Sequence, residues 1–193
     1  MAIPKRAVVI AALIALAASG CTQPDPNAKP TYACTPSQGG TPQPCYKAEH
    51  DLQASEDALY AEAEAVYRRF LTEEERIYRA GGATTASPVM LETLTGEALK
   101  ERAGYYLSLH ENETRVVGGK FILGYLRRAP QAKVNDSVAT WESCTDTRSV
   151  VVHVGRATQR GRVVRERAFF SETENGIRII HLSHFNGEVN SCA

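Results

Sequence analysis

VVRERAFFSETENGIRIIHLSHF, residues 163–185, is the stretch that decides the fold. Two runs rich in β-branched and aromatic residues flank Thr173-Glu174-Asn175-Gly176, and Asn-Gly suits a tight hairpin turn whose central residues need positive φ. This predicts a strand over 163–171, a turn over 173–176 and a strand over 177–185. Arg165 and Arg167 fall on one face of the first strand. Upstream, residues 150–154 are almost entirely valine and read as another strand. The stretch 156–162, with Gly161, reads as a polar turn. Short connections make these last three strands an antiparallel meander. Residues 134–144 read as a further strand, and Phe121, Leu123 and Tyr125 alternate in a way that suggests one more, with Pro130 near its end or edge.

The N-terminal half of the folded part has a different period. Leu59, Ala63, Val66, Phe70 and Ile77 recur at three- and four-residue steps, predicting a helix over 48–80 that Gly81-Gly82 stops. Asp, Glu and Arg cover its other faces, and Glu73-Glu74-Glu75 reads as a solvated run. A short turn over 89–94 and a second helix over 96–110 follow. Thr95 is its N-cap candidate, and Leu99, Ala103, Tyr106 and Leu107 form its stripe. Helices first and strands afterwards make an α+β layout. The arrangement expected is N-terminal helices packed on the concave face of one curved antiparallel sheet.

The first 46 residues are read as address and tether. Lys5 and Arg6, the apolar run 7–18 and the small Ser19-Gly20 before Cys21 have the parts of an export signal. The run is too short for a bilayer, which takes about 20 residues. Cys21 is the expected lipidation site of a bacterial lipoprotein, with 1–20 as its signal peptide; a plain secretory signal is the rival reading. Residues 21–46 form a Pro-, Thr- and Gln-rich tether with too little apolar surface to order itself. Residues 47–193 form the single domain. The expected address is the outer face of the cytoplasmic membrane, with membrane lipid as partner through a diacylglyceryl anchor, and an envelope protein as a further possible partner.

Setting Cys21 aside leaves Cys34, Cys45, Cys144 and Cys192 for two disulfides, as suits an exported chain. They can pair in three ways. Cys34–Cys45 is the local choice, and Cys144–Cys192 would then tie a strand end to the C-terminus. No Cys-x-x-Cys occurs and no His stands at ligand spacing from a cysteine, so no metal is expected. Basic and acidic side chains balance at 22 each. A near-neutral chain argues against nucleic-acid binding, which usually shows a strongly basic patch.

No phosphate loop, nucleophile elbow or zincin motif is present, and no cofactor is expected. The acid/base candidates are His153, His181 and Asp146. Imidazole is the natural general base near neutral pH, and a His153–His181 pair facing the interior is conceivable if register allows. Strict alternation puts His181 with Ile177, Ile179 and Ser183, and His184 with Ile180 and Leu182. Asp146 reads either as a pocket carboxylate of raised pKa or as the cap of its own turn. Trp141, Tyr106 and Phe121 read as pocket-lining or packing residues. Arg127-Arg128 and the arginines of 156–165 form a basic cluster, paired across strands or used for docking an anionic partner.

The long first helix, Leu94-Thr95-Gly96-Glu97-Ala98 opening the next, Trp141-Glu142-Ser143-Cys144-Thr145-Asp146 closing a strand and the hairpin running to Cys192 together carry a resemblance. The chain over about 47–192 resembles the nuclear transport factor 2-like (cystatin-like) fold, in particular small lipoproteins of this fold from actinobacteria and their phages. The resemblance implies a cone-like pocket. It is compatible with a non-catalytic ligand- or partner-binding module, with an isomerase, dehydratase or cyclase, or with an envelope assembly or superinfection-exclusion factor.

Overall fold

A computed structural model describes residues 29–36, 39–185 and 190–192 of the protein. The expected signal peptide 1–20 and Cys21 lie outside the described residues. The chain divides into two compact units, Met1–His50 and Asp51–Ala193.

In the first unit, β1 (Tyr32–Cys34) pairs antiparallel with β2 (Gln43–Cys45), placing Tyr32 opposite Cys45. Cys34 and Cys45 are disulfide-bonded across this ribbon, with Cα atoms 5.8 Å apart. The cross-link holds together a polar stretch whose composition supplies no core of its own. Helix α1 (Lys47–Ala80) begins here. Glu49 accepts the Tyr46 N–H at 2.9 Å, half of a capping box.

The second unit is α+β, built from helices and curved antiparallel sheets. The face that α1 buries carries Tyr60, Ala63, Tyr67, Phe70 and Ile77. Leu59 and Val66 are only partly buried. The stripe is thus rotated toward the two tyrosines, and Glu73 is buried beside it instead of solvated. Helix α2 (Pro88–Thr93) is capped by Ser87, whose Oγ accepts the Met90 N–H. In α3 (Gly96–Glu111), Thr95 sits at the N-cap without a side-chain cap bond, and Ala98, Tyr106 and Leu109 are buried. Leu107, expected on the buried stripe, is exposed. Gly81 and Gly82 end α1 at φ near +86° and +87°. A Cβ on Gly82 would lie 2.3 Å from the Tyr106 carbonyl oxygen, so glycine alone permits the close approach to α3.

Seven strands follow: β3 (Thr114–Gly118), β4 (Ile122–Arg128), β5 (Ala139–Asp146), β6 (Val151–Val154), β7 (Ala157–Arg160), β8 (Val163–Thr173) and β9 (Gly176–His184). They form two sheets, β3-β6-β7 and β4-β5-β8-β9. The expected single sheet is therefore split. β8 and β9 are the predicted hairpin, but β6 pairs with β3 and β7, and β8 pairs with β5. The cause is local. Gly155, at φ +55°, lets 157–160 fold back on β6 as a strand of its own instead of serving as a turn. β5 starts five residues after Val134, because Asn135 is left-handed (φ +45°) and Ser137 Oγ accepts the Val134 N–H.

The helices pack on one face of β4-β5-β8-β9, with Tyr60, Tyr67, Phe70, Trp141, Phe170 and Ile179 at the centre of the core. Two bulges set which side chains point there. Leu123 opposes Thr145 and Tyr125 opposes Cys144, so Gly124 is the extra residue in β4. Phe170 opposes Ile179 and Phe169 opposes His181, so Ile180 is the extra residue in β9. On the outer face, Cys144 is bonded to Cys192, the Cα atoms 5.5 Å apart. Both expected disulfide pairings are present.

Candidate functional site

Between α1, α3 and the two sheets lies an open cavity of about 1030 Å³. Its apolar wall includes Leu71 and Tyr78 of α1, Leu109 of α3, Phe121, and Val116 and Val152 of the three-stranded sheet. Phe121 is stacked on Tyr78, ring centroids 5.8 Å apart and planes within 4°.

A chain of ionic groups closes its inner end. Arg102 of α3 reaches Glu74 of α1 at 3.1 Å and Glu166 of β8 at 3.1 Å. All three side chains are about nine-tenths buried, with exposures of 11%, 12% and 8%. Tyr106 donates its hydroxyl to Glu74 Oε1 at 2.8 Å. Tyr67 donates to Glu166 Oε1 at 2.7 Å, so the Ser143 hydroxyl, also at 2.7 Å, donates to Tyr67. His184 Nδ1 stands 3.5 Å from Glu166 Oε2 at the exposed edge.

Burial sets the protonation behaviour of this chain. Desolvation raises the Glu74 pKa, and the neighbouring Glu166 charge adds to it; Arg102 and the tyrosine hydroxyls oppose the rise without cancelling it. Burial works against the Arg102 charge, but the two carboxylates outweigh it and the guanidinium pKa is raised. Tyr67, Tyr78 and Tyr106 are pushed up, first by burial and then by adjacent carboxylates, and stay as neutral donors. One guanidinium between two carboxylates leaves the cluster acidic, which reinforces the proton affinity of Glu74.

The acid/base residues expected from sequence are elsewhere. His153 lies on β6 and His181 on β9, in different sheets, so the supposed pair does not form. The Ile180 bulge is the reason for His181: it breaks the alternation, leaves Ile177 and Ile179 in the core and turns His181 to the outer face against Phe169. The same bulge brings Leu182 and His184 to the cavity. Asp146 is a half-buried turn cap. It accepts the Arg148 N–H at 3.0 Å and pairs with the Arg148 guanidinium at 2.6 Å, which lowers its pKa to about 2, opposite to the rise a pocket acid would need. Of the expected pocket residues, Phe121 lines the cavity. Trp141 is buried edge-on to Tyr60 and donates to its carbonyl, and Tyr106 is buried behind the wall and reaches Glu74.

Sequence reasoning missed Glu74, Arg102 and Glu166. Glu74 stands seven residues after Tyr67, a tyrosine of the buried face, and this spacing was the available signal. Among the described residues no group of His, Cys, Asp or Glu is placed to hold a metal ion, and no helix is long and apolar enough to cross a membrane. No protein-family model matches the chain, and no curated protein matches it in sequence.

Proposed function

We propose that this chain is an exported lipoprotein held at the outer face of the cytoplasmic membrane through Cys21, and that its larger unit is a non-catalytic binding module with a nuclear transport factor 2-like cone. The cavity is the observation that carries the binding reading. Concave sites of several hundred to about 1,000 Å³, mostly apolar with a few fixed polar groups, suit small organic ligands. Here Tyr78, Phe121, Leu109 and Val152 supply the apolar wall and the Glu74–Arg102–Glu166 chain supplies the polar end. An amphipathic ligand with an apolar body and one polar head matches that division. The carboxylates already hold Arg102 and the tyrosine hydroxyls, so they serve as a preorganised wall and not as free bases.

One observation favours a second reading. Glu74 has a raised proton affinity and faces a ligand-sized cavity, an arrangement an isomerase, dehydratase or cyclase could use for acid/base chemistry. On that reading Glu74 and Glu166 replace His153, His181 and Asp146 as the acting groups.

Native mass spectrometry of the chain extracted from membranes separates these ideas. The covalent mass should carry diacylglycerol on Cys21, and a non-covalent small-molecule adduct should survive in Glu74→Gln but weaken in Val152→Trp, which pushes an indole into the cavity from its apolar wall. An unmodified Cys21 would sink the anchor, and an adduct indifferent to Val152→Trp would sink the cavity. Turnover of the released molecule that stops in Glu74→Gln would establish the enzyme instead.

A further inference from the structure

The outer face of the four-stranded sheet holds a second cluster, remote from the cavity wall. Glu142 of β5 is 4% exposed and receives three arginines from the flanking strands. Arg127 of β4 and Arg167 of β8 stand directly opposite it in register, and Arg165 is one rung along, opposite Cys144. Arg127 and Arg165 each give one N–H to Oε1, and Tyr125 adds its hydroxyl at 3.0 Å. Arg167 grips Oε2 with Nε and a terminal nitrogen, at 3.2 and 3.1 Å. Glu142 is thus saturated.

The guanidiniums are not. Each carries five N–H donors, and most of them have no acceptor among the described residues. The buried Nε of Arg165 is one donor left over. Aromatic rings pack against the guanidiniums. The Phe185 ring centroid lies 4.5 and 4.6 Å from the guanidinium carbons of Arg165 and Arg167, and that of Tyr125 lies 4.9 Å from that of Arg127. Among the described residues, three cations against one carboxylate leave a surplus of two positive charges, held within one carboxylate's reach of each other. Arg127 is 60% exposed and the other two about one-third, so these side chains are open to solvent although the Arg165 Nε itself is buried.

We propose that Arg127, Arg165 and Arg167 form a binding site for a phosphate dianion, the terminal phosphate of a phosphomonoester or inorganic phosphate itself. Guanidinium forks match tetrahedral oxyanions, and a dianion balances the surplus charge where a single carboxylate would not. Glu142 is the organiser. Its bonds hold the three forks side by side before any ligand arrives, which lowers the entropy that binding must cost.

Isothermal titration of the full chain carrying Cys21→Ser, in low-salt buffer at pH 8, tests the site. Inorganic phosphate and the soluble short-chain lipid dihexanoylphosphatidic acid are the two probes. Saturable one-to-one binding should weaken at least about tenfold in Arg127→Gln and in Arg165→Gln, and should change by no more than about twofold in Arg156→Gln, in the turn between β6 and β7. Arg127 is exposed enough for its substitution to leave the fold intact, which the unfolding midpoint checks. Equal affinity for both probes means that the phosphate group alone is read; tighter binding of the lipid, with the same loss in Arg127→Gln, means that the phosphate belongs to a lipid. Absence of saturable binding to either probe, or equal affinity in the Arg127 and Arg165 variants, overturns the proposal.

Discussion

Glu142 shows how a single residue ties stability to pH. Burial alone would raise its pKa, but hydrogen bonds from Arg165, Arg127, Tyr125 and Arg167 bring it down to about 2, against an ordinary 4.5. A carboxylate depressed in the folded state binds fewer protons there than in the unfolded chain. Its contribution is therefore complete above about pH 4.5 and is lost as the pH falls toward 2. The full shift corresponds to about 3 kcal/mol, reduced to about 2 kcal/mol because the partner arginines are open to solvent screening. Urea denaturation should find Glu142→Gln less stable than the parent by about 2 kcal/mol at pH 7, with the gap closing by about pH 2. A gap that stays constant across that range would mean that packing, not ionisation, is what Glu142 supplies. Residues of this kind were poorly legible in the sequence. Glu142 and Glu166 follow ordinary strand alternation and differ from surface glutamates only in what other strands bring to them. The histidines, attractive for their chemistry, depended on a register that composition does not encode.

At the scale of elements, the helix pattern and the Asn175-Gly176 hairpin were legible because period and turn chemistry are local properties. Strand partnership was not. The split into two sheets follows from Gly155 closing a small hairpin, and the inward set of β9 follows from one extra residue at Ile180. The corresponding extra residue in β4 makes a sharper prediction. Gly124 sits at the bulge where a Cβ would lie 2.5 Å from Cys192 Cβ and 3.0 Å from its Sγ. Glycine in a strand interior often marks such a close approach, and here the approach is made by the disulfide that closes on Cys144. Gly124→Ala should therefore destabilise the oxidised protein by about 1–3 kcal/mol through overpacking. The penalty should fall to a few tenths in a Cys144→Ala/Cys192→Ala background, where the tether that holds the Cβ of residue 192 against Gly124 is removed and the segment can move away. Equal penalties in both backgrounds would show that the bulge itself, and not the disulfide, requires glycine.

For the molecule as a whole, cysteine parity was the most legible long-range information, because it constrains pairing without reference to register. Cys144–Cys192 spans a sequence separation of 48, and its segment contains β6, β7, β8 and β9. Closing a loop of that length removes unfolded-state entropy worth about 4 kcal/mol. The loop also contains β8 and the edge strand β9 of the four-stranded sheet, which carry Glu166 and His184, two residues of the cavity's ionic end. The β8–β9 hairpin depends on its core contacts, Phe170 and Ile179 above all, and these remain when the disulfide is cut. Reduction should therefore leave the native topology in place and act mainly through the unfolded chain. The Cys144→Ala/Cys192→Ala protein is expected to unfold in one cooperative transition, with its midpoint lowered by roughly 8–16 °C. Its hydrogen-exchange protection below that transition should match the parent's across β5, β8 and β9. Selective loss of protection in β9 would instead show that the bond holds the hairpin against the sheet in the folded state, and that the cavity's ionic end depends on an oxidising environment.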